Sequence, residues 1–317
     1  MIRIVYFGTP DFACPTLKRL LQDKSDFKIV GVVTQPDKPA GRGRRMQSPP
    51  VKLLAQTADL PILQPTSLKG PEVEQSLKDF AADFFVVAAY GKILPQAVLD
   101  IPQYECINIH ASILPAYRGA SPIAHALLAG DDKTGVAIMK MEAGLDTGPV
   151  FKISEEEIAP DETTGSLTEK LAMLGAEVLP SVLMSIVHAG LEPKAQDDAL
   201  ASYAPRIAKK DGWLDFSQNA EELARKIRAY APWPGTFVGK GGQRVKVLKA
   251  QFFAGDDGQP GQVLHADAKG IVVACGVGAL CLEDIQPAGK KPMSAAAWIA
   301  GRGVNSGESF DLEPPNH

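Results

Sequence analysis

Alternating strand-like and helical runs over the first 190 or so residues, then a cluster of short glycine-bounded β runs, predict an α/β chain. It comprises a doubly wound, Rossmann-like parallel sheet domain followed by a small β-barrel of OB type. Three observations carry that prediction. The runs at 2–7, 28–34, 62–64 and 84–89 are separated by helical segments at the spacing of strand–helix–strand units. The run 84–89, Phe-Phe-Val-Val-Ala-Ala, is apolar throughout, as a central strand covered on both faces must be. The runs at 236–238, 244–253, 261–265, 270–274 and 279–285 are short and turn-bounded, which suits a small barrel. At 317 residues the chain can bury two cores. The predicted division is 1–188 for the α/β domain, 189–206 for a linker without apolar period, and 207–317 for the OB-like domain.

The opening strand runs into a Gly8-Thr9-Pro10 turn and a helix over 11–22, with Phe12, Leu17, Leu20 and Leu21 inward. No G-x-G-x-x-G follows the strand and no segment matches a P-loop, so NAD is not indicated. Residues 35–50 have no apolar period, and prolines flank a Gly-Arg-Gly-Arg-Arg core. A structureless stretch of that length inside a compact domain is either a solvated loop or a functional one. In the functional reading Arg42, Arg44 and Arg45 bind phosphates while the glycines let the loop mould itself to a partner. Helices over 51–57 and 71–81 continue the alternation. Strand 84–89 ends at Tyr90-Gly91-Lys92-Ile93-Leu94-Pro95, where Gly91 exposes backbone groups. Ile93 and Leu94 fit two uses, core packing or the wall of a flat apolar pocket.

The next strand begins the stretch Cys-Ile-Asn-Ile-His-Ala-Ser-Ile-Leu-Pro-Ala-Tyr-Arg, 106–118. Its first part has period two, so Ile107 and Ile109 share one face and Asn108 and His110 the other. Pro115 fixes a turn just beyond the strand. Ligands of α/β sheets bind at the carboxyl ends of strands, and an amide beside an imidazole suits a charged tetrahedral centre there. The competing use of both side chains is to satisfy loop backbone. A second segment, 142–149, interrupts two strand-like runs at 136–141 and 150–158. Gly144 and Gly148 flank Asp146, and Pro149 stiffens the exit, a setting that suits an acid held for a purpose; the competing reading is a solvated turn aspartate.

A helix over 121–129 precedes that segment, and a long one over 164–187 follows it, striped by Leu167, Leu171, Leu174, Val178, Val182 and Ile186. Ser166 with Glu169 has the pattern of a capping box, and Pro180 should kink the helix. Past the linker, a helix over 219–231 is apolar at 220, 223, 224, 227 and 231, with Arg225 and Arg228 on its outer flank. A helix over 294–300 and a loose acidic tail complete the chain.

Composition is that of a soluble globular protein, 45% hydrophobic and 22% charged. The first residues already read as a strand rather than a signal peptide, and no run approaches the roughly 18 apolar residues of a membrane span. A cytoplasmic protein without a membrane is expected. Cys14, Cys106, Cys275 and Cys281 have neither zinc nor disulfide spacing, and no metal site is indicated. The net charge of −4 hides two basic patches. Residues 206–249 carry ten Lys or Arg, Lys209, Arg225 and Arg228 among them, against four acids; residues 34–52 carry five against one. Such clustering is what phosphate backbones respond to. Nothing marks a large exposed apolar face, so a monomer is the default.

Asn108-x-His110, Ser112-Ile-Leu-Pro115, Tyr117-Arg118-Gly119 and an Asp 36 residues after the histidine resemble the signature of the folate-dependent formyltransferases. Phe7-Gly8-Thr9-Pro10, the loop 35–45 and Pro232-Trp-Pro-Gly235 resemble the branch of that family acting on methionyl-tRNA, and the likeness covers nearly the whole chain. The resemblance implies transfer of the formyl group of 10-formyltetrahydrofolate to the α-amino group of methionyl-initiator tRNA, giving formylmethionyl-tRNA for translation initiation. It implies that Ser112, Ile113, Leu114 and Pro115 bind the folate, with Gly91 and Ile93 beside the pterin. It also implies that the Arg42, Arg44 and Arg45 loop meets the acceptor arm of the tRNA.

The chemistry would be acyl transfer to an amine. An α-amino group titrates near about 7.7–8.0, so it needs little activation and no covalent enzyme intermediate. Stabilising the oxyanion should dominate, with Asn108 and His110 as donors. Asp146 would orient His110 or a water and relay the proton. Two rivals share parts of the pattern: a nucleotide-amino-sugar formyltransferase using the same folate donor, and a non-catalytic tRNA-binding module. The latter needs no such trio.

Overall fold

The computed structural model describes residues 1–40, 45–255 and 258–314, so Arg42 and Arg44 lie outside the described residues. The chain forms two compact units. One comprises Met1–Pro122, Lys133–Glu157 and Thr168–Ala204; the other comprises Ile123–Asp132, Ile158–Leu167 and Pro205–His317. Each unit thus draws on more than one stretch of the chain.

In the first unit, β1 (Ile2–Gly8) leads through a 3-10 turn into α1 (Cys14–Gln22) and β2 (Phe27–Val33). Next come a ribbon of β3 (Lys38–Ala40) and β4 (Arg45–Gln47), then α2 (Pro50–Thr57), β5 (Ile62–Leu63), α3 (Pro71–Lys78) and β6 (Phe84–Ala88). The one-turn α4 (Gln96–Leu99), β7 (Glu105–His110) and β8 (Arg118–Gly119) follow. Beyond α5 (Pro122–Ala129), which apart from Pro122 belongs to the second unit, come β9 (Lys133–Lys140), β10 (Val150–Glu157), α6 (Thr164–Ala189), whose first residues to Leu167 also belong to the second unit, and β11 (Tyr203–Ala204). The main sheet has the order β10-β9-β7-β6-β1-β2-β5.

The strands from β7 to β5 in that order pair parallel, whereas β9 runs antiparallel to β7 and β10 antiparallel to β9. The sheet is therefore mixed at one edge, where a parallel sheet was expected. The β9–β10 hairpin accounts for the second reversal, because a short loop returns a strand antiparallel; the first, β9 against β7, follows a longer connection through β8 and α5. In β1, Ile4, Val5, Tyr6 and Phe7 are all fully buried. Successive side chains point to opposite faces, so both faces of the sheet centre are covered.

The 35–50 stretch is not structureless. Lys38 pairs with Gln47 and Pro39 with Met46 in the β3–β4 ribbon. Its base is clamped because the Asp37 carboxylate accepts from Gln64 and Ser48 and pairs with Lys52 at 2.8 Å. Those partners hold the Asp37 carboxyl below its usual range, Gln64 being the largest influence.

Helix α6 departs from the sequence reading in two ways. Its cap is a reciprocal Thr163–Ser166 pair, the Thr163 N–H donating to Ser166 Oγ at 3.0 Å and the Ser166 N–H to Thr163 Oγ1 at 3.2 Å, in place of Ser166–Glu169. Its buried face runs through Leu167, Leu171, Ala176, Leu179 and Leu183, which leaves Leu174, Val178 and Ile186 half-buried. Gly175 explains the rotation. A Cβ there would meet Ile109 Cγ2 of β7 at 2.8 Å, so the helix turns its small residues to the sheet and approaches closely. By length and composition alone, α6 is apolar enough to cross a membrane, contrary to the sequence expectation. Its fully buried leucines account for that hydropathy as core packing.

In the second unit, α7 (Ala220–Ala229) is capped by Asn219, whose side chain accepts from the Glu221 N–H at 2.8 Å. The strands β12 (Thr236–Lys240), β13 (Gln243–Phe253), β14 (Val263–Asp267), β15 (Gly270–Ala274), β16 (Ala279–Pro287) and β17 (Met293–Ser294) precede α8 (Ala295–Ala300). They form an antiparallel sheet of order β12-β13-β16-β15-β14, with β17 added to β16. Leu223 and Ile227 of α7 pack into its core with Val245, Val247, Leu280 and Leu282. The tail is not loose. Asp311 bridges to Gly239 and Ser309 to Gln262, while Phe310 is 2% exposed.

Candidate active site

The carboxyl end of β7 sits between β6 and β9, with Asn108 opposite Val87 and Met139. The half-buried side-chain amide of Asn108 makes no hydrogen bond to a described residue, so its donors are unspent. His110, two residues on, is buried. Its Nε2 lies 3.0 Å from the Tyr117 carbonyl. A carbonyl only accepts, so Nε2 carries the hydrogen and Nδ1 is the nitrogen left for chemistry. Nδ1 faces Asp146 Oδ2 at 3.7 Å. The same carboxylate oxygen accepts the Gly119 N–H at 2.9 Å. Asp146 itself sits at φ 54°, a left-handed conformation costly for a residue with a Cβ.

The segment after β7 makes this possible. The Ser112 hydroxyl donates to the Ala116 carbonyl at 2.6 Å, and Leu114 packs with Ala137 and Met139. The chain turns back through Tyr117, also at positive φ, and is pinned where the Tyr117 N–H donates to Ser202 Oγ and the Arg118 N–H to the Ser202 carbonyl. Three consecutive residues thus act on the site: Tyr117 through its carbonyl, Gly119 through its N–H, and Arg118 between them. The sequence pointed to the side chains of this stretch, whereas two of its contributions come from backbone.

Of the residues expected to bind folate, Ser112 and Leu114 turn their side chains inward and shape the turn, while Ile113 and Pro115 keep accessible surface. Gly91 is exposed at φ 81°, and the Tyr90 carbonyl just before it accepts from Thr9 Oγ1 and Gln35 Nε2, both at 2.9 Å. Ile93 is 84% exposed and Leu94 is in the core, so only Leu94 takes the packing role. The Gln35 side chain lies against Gly91, where an added Cβ would meet its Nε2, and Ile93 projects into solvent two residues on. Burial pushes the neighbouring Tyr90 phenol up to about 12, so it stays protonated at neutral pH.

Arg45 and Lys209 are exposed. Arg225 and Arg228 do not lie on a free flank. Arg225 donates to the Leu128 carbonyl and pairs with Glu221 at 3.1 Å, and Arg228 donates to the Glu162 carbonyl. Burial, with Arg225 nearby, lowers the pKa of Arg228 from its ordinary value. Helical periodicity placed both away from the α7 core but could not see what else would pack there. A cavity of about 1190 Å³, lined by Leu127, Arg225, Leu248 and Phe252 among others, belongs to the second unit and includes none of Asn108, His110 and Asp146. Among the described residues no cluster of His, Cys, Asp or Glu could hold a metal ion.

An unspent amide, an imidazole with one free nitrogen and a carboxylate beside it, at the carboxyl edge of an α/β sheet, suit acyl transfer to an amine. Residues 2–183 match the formyl transferase family model and residues 206–303 that of the formyl transferase C-terminal domain; the chain belongs to this family. It is an enzyme of formyl transfer. The methionyl-tRNA formyltransferase of Thiobacillus denitrificans is 48% identical over 308 residues, covering 96% of this chain and 98% of its own length. That of Geobacter sulfurreducens is 41% identical over 313 residues, covering 99% and 95%. In fold, the chain is similar to an N-formyltransferase from Helicobacter canadensis, solved with folinic acid and dTDP-3-aminofucose. The TM-score is 0.66 at 16% identity, covering 90% of this chain and 100% of that one.

Proposed function

We propose that this chain transfers the formyl group of 10-formyltetrahydrofolate to the α-amino group of methionyl-initiator tRNA. The observation that carries the acceptor is the near-full-length identity of 41–48% to methionyl-tRNA formyltransferases. The observation that carries the chemistry is the unspent Asn108 amide beside an imidazole whose Nδ1 is free.

10-Formyltetrahydrofolate supplies the formyl carbon, bonded to a nitrogen that departs. As the amine attacks, the formyl oxygen gains negative charge, and the Asn108 amide donates to it. Such a donor lowers the barrier by on the order of 2.7–4 kcal/mol. His110 Nδ1 takes the proton shed by the new ammonium, while Nε2–H stays on the Tyr117 carbonyl. Asp146 stabilises the imidazolium, and His110 returns the proton to the departing nitrogen. Gly91, Ile93, Ile113 and Pro115 would face the folate, with Ser112 and Leu114 holding the turn. Arg42, Arg44, Arg45 and Lys209 would meet tRNA phosphates; Arg225 and Arg228 would add to the field rather than bind directly. In this reading 1–188 is catalytic, 189–206 a linker, and 207–317 an OB-like tRNA-binding domain of a cytoplasmic monomer.

The test is an assay with labelled formyl folate, offering initiator Met-tRNA against an amino-sugar nucleotide. Label on the tRNA alone is expected. Label on the sugar alone would refute the assignment.

A further inference from the structure

Gln196 lies in the aperiodic stretch that sequence assigns to a linker, yet the structure wires it into the candidate active site. Its Nε2 donates to the carbonyls of Asp146 at 2.8 Å and Gly148 at 2.7 Å. Its Oε1 accepts from Arg118 Nε at 3.0 Å and Nη2 at 2.9 Å. The amide orientation is unambiguous, because carbonyls demand its NH₂ and a guanidinium demands its oxygen. Arg118 is 2% exposed and also pairs with Asp198 at 2.8 Å. The residue after Arg118 is Gly119, whose N–H holds the Asp146 carboxylate; the residue before it is Tyr117, whose carbonyl holds His110.

The bonds form a closed circuit: Asp146 carboxylate to Gly119, Gly119 to Arg118 along the chain, Arg118 to Gln196, and Gln196 back to the Asp146 carbonyl. A left-handed aspartate costs on the order of 1–2 kcal/mol and persists only where its surroundings over-determine it. Here the surroundings are the Gly119 N–H on its carboxylate and one glutamine amide spanning the carbonyls of Asp146 and Gly148.

We propose that Gln196 is a positioning residue for the formyl transfer, acting through Asp146: it locks the 146–148 turn so that the carboxylate faces His110 Nδ1. This rests on the role given to Asp146 above. Every polar atom of the Gln196 amide is spent on protein, so it does not bind substrate. Loss of Gln196 should therefore lower kcat and leave KM for both substrates near its original value.

The experiment is a double-mutant cycle on the full chain, with kcat and KM measured per folded enzyme. Gln196→Ala is expected to lower kcat about 10–100-fold, the effect of misplacing a catalytic group by a fraction of an ångström to one ångström. Both KM values should stay within about twofold. Gln196→Glu keeps the Arg118 contact, loses both donors to the turn, and should behave alike; it also serves if the alanine variant fails to fold. In an Asp146→Ala background, removing Gln196 should cost less than about threefold, because its effect runs through the missing carboxylate. Full kcat in both Gln196 variants beside a crippled Asp146→Ala enzyme would overturn this proposal alone, as would an equal loss from Gln196→Ala in both backgrounds. Full activity of Asp146→Ala itself would overturn the role of Asp146 as well.

Discussion

Replacing Asp146 by Asn isolates its charge. Asn tolerates the left-handed backbone better than most residues, so φ 54° is kept, whereas Ala would add conformational strain of roughly 1–2 kcal/mol. The Asn oxygen still accepts the Gly119 N–H. What changes is the group facing His110 Nδ1 at 3.7 Å. Coulomb attraction between a carboxylate and an imidazolium at that separation is about 1 kcal/mol in water and about 4.5 kcal/mol at an effective dielectric constant near 20. His110 is 6% and Asp146 16% exposed, so the upper part of the range applies before desolvation is subtracted. A net loss of about 2.7 kcal/mol corresponds to about a hundredfold in rate. The Asn amide would also donate to Nδ1 and occupy the lone pair that receives the proton. Initial rates of Met-tRNA formylation should therefore fall about a hundredfold in kcat, with KM for tRNA unchanged. A kcat within about threefold of the unmodified enzyme would refute the charge argument.

Asn108→Ala should lower kcat by about 10²–10³ without loss of folding, checked by formylation rates and circular dichroism. Arg45→Ala should raise KM for tRNA and reduce by about 1 the slope of log affinity against log salt, read by titration at several salt concentrations. Asp37→Asn should loosen the base of the β3–β4 ribbon in a pH-dependent way. The Asp37 carboxyl is held below its ordinary value in the fold, so its stabilising effect is present above the unfolded pKa of about 3.9 and lost as pH falls through the lower folded one. The Tm difference between the two proteins should thus be present at pH 7 and shrink below about pH 4 in thermal melts.

Local periodicity made much of this legible. Period two in the 106–110 stretch put Asn108 and His110 on one side of a strand, and the glycines around Asp146 marked its loop as constrained. Periodicity failed where the packing partner mattered. Gly175 against Ile109 rotated the buried face of α6, and carbonyls of other segments claimed Arg225 and Arg228. The loop 35–50 read as structureless because its pairing of proline- and arginine-rich edges has no apolar signature.

What the sequence by itself determined is the set of chemical groups, the strand that presents two of them, and the strand–helix order that carries that strand's end to a ligand-binding edge. The tertiary structure alone decided which imidazole nitrogen is free, that Asp146 adopts a left-handed turn to face it, and that Gln196 fastens that turn. The reason is separation along the chain. The decisive bonds join residues 50 and 78 positions apart, through backbone carbonyls and a single side chain that leave no periodic trace.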